Sequence, residues 1–397
     1  MYLDETTFAL PEVVVAELLQ KWRPVLGRET VALDQALGRI CAEDKHSLNT
    51  FPVCRAAAGD GIAVKGRDFE SGLPDPAYWV KGRDYGAADT GDDFDDAFDT
   101  VIAIESLDYR DGVSFTFKPG LTVTPGQKVL PCGSNLKAGE LLAGKGCKIT
   151  PMLLWMLATG GHTTVEVYKK PVLAYIPTGS ELIEVGQSPR RGQNIQSVGI
   201  MFKSQLALWG ADMLHYPVVK DDRTAIGAAL DEALAAADIV LLSGGSCKGS
   251  EDFTARIVAA RSSYFQHGVR TAPGRPAGMG IVGGKPVISL PGPPVGAFTI
   301  LDWCVRPLVY AAAGTLPPEP VRITGKLTDA VKKPPFPYQF TLRVNIKATE
   351  EGYMIRPLLS TRTAESSILC NGLLVVPPDV QGYQTGDTVT AKLIYDL

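Results

Sequence analysis

The sequence predicts a multi-domain protein of the α/β plus β class. It reads as a parallel-sheet α/β domain at 171–314, a small β domain at 46–128 and a terminal all-β domain beyond 315. Three observations carry this. Short apolar runs at 172–176, 239–242 and 286–290 alternate with helix-period stretches, the pattern of parallel strands joined by right-handed crossovers. Each run ends in a glycine-rich junction. Runs at 100–104 and 113–117, and again at 342–346, 373–376 and 388–394, read as strands with no helix between them.

The elements follow in order. Residues 11–22 have helical periodicity, with Val14, Leu18 and Leu19 on one face. A second amphipathic stretch, 33–44, carries Ala36, Leu37, Ile40 and Cys41. Residues 46–128 turn to Gly, Asp, Val and Thr, and their acidic run 89–99 reads as a solvated loop. The segment 129–170 is mixed and contains an apolar helix, 151–159, closed by Gly160-Gly161. Helices are expected at 195–210, 224–237, 252–260 and 295–313, and a Pro-rich linker at 315–320.

Bulk properties bound the function. At about 150 residues per domain, 397 residues give two to four domains. A net charge of −4 gives no basic surface for nucleic acid. No apolar run reaches the ~18 residues of a membrane span. The amino terminus has no signal-peptide pattern, and seven scattered cysteines without a CxxC pair point to reduced thiols in a cytoplasm. The four histidines are too dispersed to form a metal-binding motif.

The junctions read Pro177-Thr178-Gly179-Ser180-Glu181-Leu182, Ser243-Gly244-Gly245-Ser246-Cys247-Lys248-Gly249 and Leu290-Pro291-Gly292-Pro293-Pro294-Val295-Gly296. In a parallel α/β sheet such turns gather beyond the carboxyl ends of the strands, where these folds bind ligands. Glycine lets backbone approach a ligand, and helix N-termini offer unpaired N–H groups to an anion. The pattern points to a phosphorylated small molecule; the alternative is three ordinary tight turns.

The order of these motifs resembles the molybdopterin molybdenumtransferase family, the MoeA and gephyrin E-domain type. Asp60-Gly61-Ile62-Ala63-Val64 is similar to its Asp-Gly-Tyr-Ala-Val, and 177–182 to Ser-Thr-Gly-Asp-Glu-Leu. Residues 243–252 are similar to Ser-Gly-Gly-Val-Ser-Val-Gly-x-x-Asp, Pro273-Gly274-Arg275-Pro276 to Pro-Gly-Lys-Pro, and 290–295 to Leu-Pro-Gly-Asn-Pro-Val. The resemblance implies a discontinuous N-terminal domain (1–45 with 129–170) interrupted by the inserted β domain (46–128). It also implies a molybdopterin-binding α/β domain (171–314), a C-terminal β-barrel (315–397) and a homodimer. The implied reaction inserts molybdate into adenylylated molybdopterin (molybdopterin-AMP), releasing AMP with help from Mg2+.

Carried onto this sequence, the resemblance makes Glu181, Asp222, Asp252 and Asp60 the catalytic candidates, with Glu181, Asp222 and Asp252 as metal ligands. Thr178, Gly179, Ser243, Gly244, Gly245, Ser246, Lys248, Pro273, Gly274, Arg275, Pro291, Gly292 and Pro293 become the ligand-binding candidates. Each acidic residue has a plainer alternative: Asp222 and Asp252 as helix caps, Asp60 as a turn former. Arg275 fits an anion contact or a solvated loop, and Lys248 a phosphate contact or a surface charge.

Several family positions differ here. Arg55-Ala56-Ala57 replaces Asp-Asn-Ser, Ser134-Asn135 replaces a Glu-Asp pair, Ser180 an Asp, and Gln196-Ser197-Val198 an Asp-Ser-Asn or Asp-Thr-Asn. Ala272 replaces a Lys and Pro293 an Asn. Fewer carboxylates weaken a Mg2+ site, and an Ala in place of Lys removes a charge-assisted hydrogen bond. Two readings stand: a transferase with a reduced acidic site, or a pterin- or nucleotide-binding homologue without catalysis. A related reading is an enzyme with an altered substrate, where Arg55 and Lys248 supply fixed positive charge in place of metal.

Overall fold

In the computed structural model, which describes residues 5–110, 114–244, 254–359 and 363–395, the expected apolar runs are the inner strands of one sheet. Its strands are β1 (Val172–Pro177), β2 (Asp212–His215), β3 (Ile239–Ser243), β4 (Ser262–His267), β5 (Gly278–Val282) and β6 (Lys285–Leu290), in the spatial order β2-β1-β3-β6-β5-β4. Strands β2, β1, β3 and β6 are parallel. The other edge departs from the expected all-parallel sheet, because β5 and β4 run antiparallel. The cause is local. Gly283 and Gly284 both have positive φ (58° and 79°), which makes the two-residue turn of a β5–β6 hairpin and leaves no room for a crossover helix.

Successive residues of the central strands enter opposite cores. Leu173, Tyr175, Ile239, Leu241, Ile288 and Leu290 pack with Phe202, Leu206 and the helical run 294–312. Ala174, Ile176, Val240, Leu242 and Val287 pack with Ile226, Leu230, Ala233 and Val258. Burial on both faces is why these strands read as continuous apolar runs and not as alternation. Burying each such side chain stabilises by about 1.5–3 kcal/mol.

The helix Pro11–Lys21 belongs to this core through Val14, Val15 and Leu18. By packing it groups with the α/β part of the chain. The run 294–312 is 19 residues long and apolar enough to cross a membrane by length and composition, but two-thirds of it is buried inside the protein. It is a core helix, interrupted by a π turn at Leu301–Val305.

Beyond the linker, strands Arg322–Leu327, Gln339–Thr349, Gly352–Pro357, Gly372–Val376 and Thr388–Leu393 close into a five-stranded barrel around Val344, Ile346, Ile355, Leu374 and Val376. A short helix, Thr363–Leu369, corrects the expectation of an all-β segment here. The two-residue strand Thr271–Ala272 pairs in parallel with Gln339 and Phe340, adding a sixth strand from the α/β part of the chain.

By its internal contacts the chain divides into two units: Met1–Gly27 with Tyr168–Leu397, and Arg28–Val167. The second holds two kinds of structure. Around Ala36, Cys41, Ile149, Leu157 and Val165 lie short strands and the helix Pro151–Thr159, capped by Thr150, whose Oγ1 accepts from Leu153 N at 3.2 Å. The stretch 33–44 is not a helix. It is a 3-10 turn, Leu33–Gln35, ended near Gly38 (φ 76°). The other part is a three-stranded antiparallel sheet, with Gly61–Val64 between Tyr85–Ala88 and Thr100–Ala103, beside a hairpin of Leu107–Tyr109 and Phe115–Phe117. The six cysteines among the described residues are free thiols.

Candidate functional site

The glycine loops converge because their backbones touch. Thr178 N donates to Ser243 O at 2.7 Å, and Thr178 Oγ1 donates to the same carbonyl at 3.0 Å. Gly244 has φ 106°, and any Cβ there would run into the Thr178 carbonyl. Glycine is therefore required at 244 for the first two loops to lie side by side. Thr254 Oγ1 donates to Gly244 O at 2.6 Å and lies 3.0 Å from Ser289 Oγ, tying the second loop to the end of β6.

The third and fourth loops meet in the same way. Gly274 (φ 116°) lies against Ile300 and the Gly296 backbone, so the turn 273–275 packs on the start of the helix Pro294–Ile300. Pro291 is buried, whereas Gly292 and Pro293 are exposed, and a Cβ at Gly292 would meet nothing within 4 Å.

Glu181 is the acidic residue these loops present. Gly179 (φ 151°) lets its carboxylate fold back over the loop; a Cβ at Gly179 would lie 2.7 Å from Glu181 Oε2. Among the described residues no partner holds that carboxylate. Its neighbour is fixed by Asp221, the other half of the acidic pair with Asp222. Ser180 N donates to Asp221 Oδ2 at 2.7 Å, and Asp221 N donates to Ser180 Oγ at 3.3 Å. Asp222 takes the plainer of its two readings: its Oδ1 accepts from Ala225 N at 2.8 Å as the N-cap of the helix Arg223–Ala236. Gly245, Ser246, Lys248 and Asp252 lie outside the described residues.

A buried polar group underlies the first loop. Tyr175 is 1% exposed near the Ser243 and Gln196 side chains, and burial holds its pKa above the usual tyrosine range. Gln196 Nε2 lies 3.1 Å from the His215 ring, and Gln196 Oε1 is buried without a hydrogen-bond partner. Gly199 is needed beside them, since a Cβ would lie 2.8 Å from Gln196 Nε2. The only sequence signal for this cluster was the substitution at 196.

Two expected residues are used elsewhere. Arg275 Nη1 donates to Glu5 Oε1 at 3.0 Å, and its guanidinium stacks over Phe336 of the barrel segment at 5.4 Å. Glu5 in turn accepts from Tyr338 Oη. In the unit 28–167, Asp60 Oδ1 accepts from Thr90 N at 2.7 Å and Thr90 Oγ1 at 2.6 Å, and these bonds lower its pKa. Arg55 is not a free surface charge. It donates to the carbonyls of Phe98 at 2.5 Å and Asp95 at 3.0 Å, pairs with Asp96 and stacks on Phe94, holding the acidic loop in place.

Among the described residues no three His, Cys, Asp or Glu side chains gather as a metal cluster. Mg2+, however, usually takes one or two protein carboxylates and completes its shell with water and phosphate oxygens. Glu181 alone does not make a pre-built cage.

Comparison with known proteins gives this geometry a context. Residues 11–161 match the "MoeA N-terminal region (domain I and II)", and residues 174–311 match a "Probable molybdopterin binding domain". The chain belongs to the MoeA family. Molybdopterin molybdenumtransferase 2 of Mycobacterium tuberculosis is 29% identical over 412 residues, covering 97% of this chain and 98% of that protein. The molybdopterin molybdenumtransferase of Staphylococcus aureus is 26% identical, covering 91% and 90%. A crystal structure of the molybdopterin biosynthesis MoeA protein from Pyrococcus horikosii aligns with a TM-score of 0.77 at 26% identity, covering 98% of this chain and all of that one. Within this MoeA-family chain, the loops that converge at the sheet lie in or beside the matched molybdopterin-binding segment.

Proposed function

We propose that this protein is a molybdenum cofactor biosynthesis transferase that inserts molybdate into adenylylated molybdopterin and releases AMP. One observation carries the reading: four backbone loops at the carboxyl ends of the strands meet edge to edge and present Glu181. Open, exposed backbone at Gly292 suits close approach of a phosphate chain or a flat pterin. Thr178, Ser243 and Gly244 form the floor, and Pro291, Gly292 and Pro293 one wall. Glu181 would hold Mg2+ shared with the substrate phosphates, where a cation offsets the charge that develops on pyrophosphate cleavage. Asp222, as a cap with a second carboxylate oxygen, is a weaker contributor. The same reading includes a homodimer, a cytoplasmic location, the remaining domain boundaries and a supporting role for Asp60, Asp252 and Lys248.

A second reading, binding of the pterin nucleotide without turnover, is favoured by the absence of a three-carboxylate cluster among the described residues. Calorimetry with molybdopterin-AMP, with and without Mg2+ and molybdate, while following AMP in the same samples, separates the two. The transferase reading expects Mg2+- and molybdate-dependent release that falls roughly hundredfold in Glu181→Gln, the scale of losing one preorganised electrostatic group. Tight binding with no release selects the second reading.

A further inference from the structure

The π turn at Leu301–Val305 places a carboxylate within a mostly apolar helical run. Asp302 is 7% exposed, and Lys392 of the barrel strand Thr388–Leu393 donates to both of its oxygens, at 2.6 and 2.5 Å. A buried ion pair costs desolvation that well-packed apolar residues would avoid, so stability alone does not explain one. Single π turns inside α-helices are frequent at functional positions.

The pair borders a cavity of about 100 Å³, also lined by Gln205, Trp209, Phe298 and Arg306. None of the glycine-loop residues lines it. Its lining is rich in N–H donors, from Lys392, Arg306, Gln205 and Trp209, against the single carboxylate of Asp302. The Gln205 amide oxygen already accepts from Tyr395 Oη at 3.3 Å. Arg306 Nη2 donates to Pro318 O at 2.7 Å, which holds the guanidinium in place. Burial holds the Lys392 pKa below its usual value, against the opposing pull of Asp302. At about 30 Å³ per water, the cavity holds roughly three waters, the space of one small anion.

We propose that this cavity is a binding site for a small tetrahedral oxyanion of the phosphate or sulfate class, held by Lys392 and Arg306 between the helix Arg306–Ala312 and the barrel strand. The site is independent of the pterin-nucleotide reading.

Trp209 lines the cavity and reports on it. Its fluorescence and the thermal midpoint are followed in a zwitterionic buffer while inorganic phosphate, sulfate or acetate is added to the full chain. Saturable change with phosphate or sulfate is expected, with an apparent Kd raised about tenfold or more in Arg306→Ala, the value of one charge-assisted hydrogen bond. Arg306→Lys keeps the charge but loses the planar fork, and recovers part of the affinity. Glu181→Gln binds as the parent does. Because removing Lys392 alone strands a buried carboxylate, the paired change Lys392→Met with Asp302→Asn tests that side and abolishes binding. No saturable change with either oxyanion, saturation by acetate alone, or an unaltered Kd in Arg306→Ala would overturn the proposal.

Discussion

Ser180 and Asp221 hold each other through reciprocal bonds. The Ser180 amide donates to the Asp221 carboxylate at 2.7 Å, and the Asp221 amide donates to the Ser180 hydroxyl at 3.3 Å. A serine permits this where a second aspartate would face Asp221 with like charge. The latch fixes the residue immediately before Glu181.

Asp221→Ala removes a charge-assisted bond worth about 1.5–3 kcal/mol. AMP release is expected to fall roughly tenfold, and the Ser180 amide to exchange faster with solvent. Asp222→Ala loses a helix cap worth about 1 kcal/mol and lowers the melting temperature, but leaves Ser180 exchange unchanged. Exchange measured by NMR or mass spectrometry on both variants checks the division; equal acceleration at Ser180 in the two would refute it.

Gly244→Ala forces a side chain into the left-handed region and against the Thr178 carbonyl. The strain is of order 1–3 kcal/mol, and relief requires the first two loops to part. Thermal unfolding should show the loss, and pterin-nucleotide binding should weaken with it. Gly292→Ala, with open space around its Cβ, should leave the melting temperature within error of the parent. If Gly244→Ala is equally silent, the loops are not in contact in solution.

Asp60 gives a pH signature. Its carboxyl is held below the ordinary aspartate value of about 3.9 by the Thr90 side-chain and backbone bonds. A depressed folded pKa contributes stability that is present above the unfolded value and is lost as pH falls through the folded one. Thr90→Val removes the larger of the two bonds, so the Asp60 pKa should rise toward 3.9, and the variant should be less stable than the parent near neutral pH with the gap closing as pH falls through the folded value. Carboxyl-carbon NMR titration reads this directly, and an unmoved Asp60 would contradict it.

The inner strands were legible because burial on both faces leaves an unbroken apolar run that no surface element imitates. The helix Pro151–Thr159 was legible from its own cap and closing glycines. The antiparallel edge was missed although Gly283-Gly284 announces a tight hairpin, because the β-α alternation earlier in the domain was extended over it. The stretch 33–44 has helical spacing of Ala36 and Ile40, but Gly38 breaks it and tertiary pairing decides. In the site, Thr178, Gly179, Gly244 and Glu181 were readable as a motif. The roles of Asp221, Thr254 and His215 were not, since their partners Ser180, Ser289 and Gln196 lie 41, 35 and 19 residues away in sequence. The reverse error occurred at Arg275, whose motif position says nothing about the Glu5 carboxylate that meets it.

The strand Thr271–Ala272 has a practical consequence for dissecting the protein. Both residues are buried, and their pairing with Gln339 and Phe340 stitches the turn that bears Gly274 into the barrel. A fragment ending at Gly314 would strip that pairing away, together with the ring of Phe336 from Arg275 and the hydroxyl of Tyr338 from Glu5. The molybdopterin-binding segment of this chain is thus not an excisable module. Its fourth loop is contacted by residues that lie later in the chain than the segment itself.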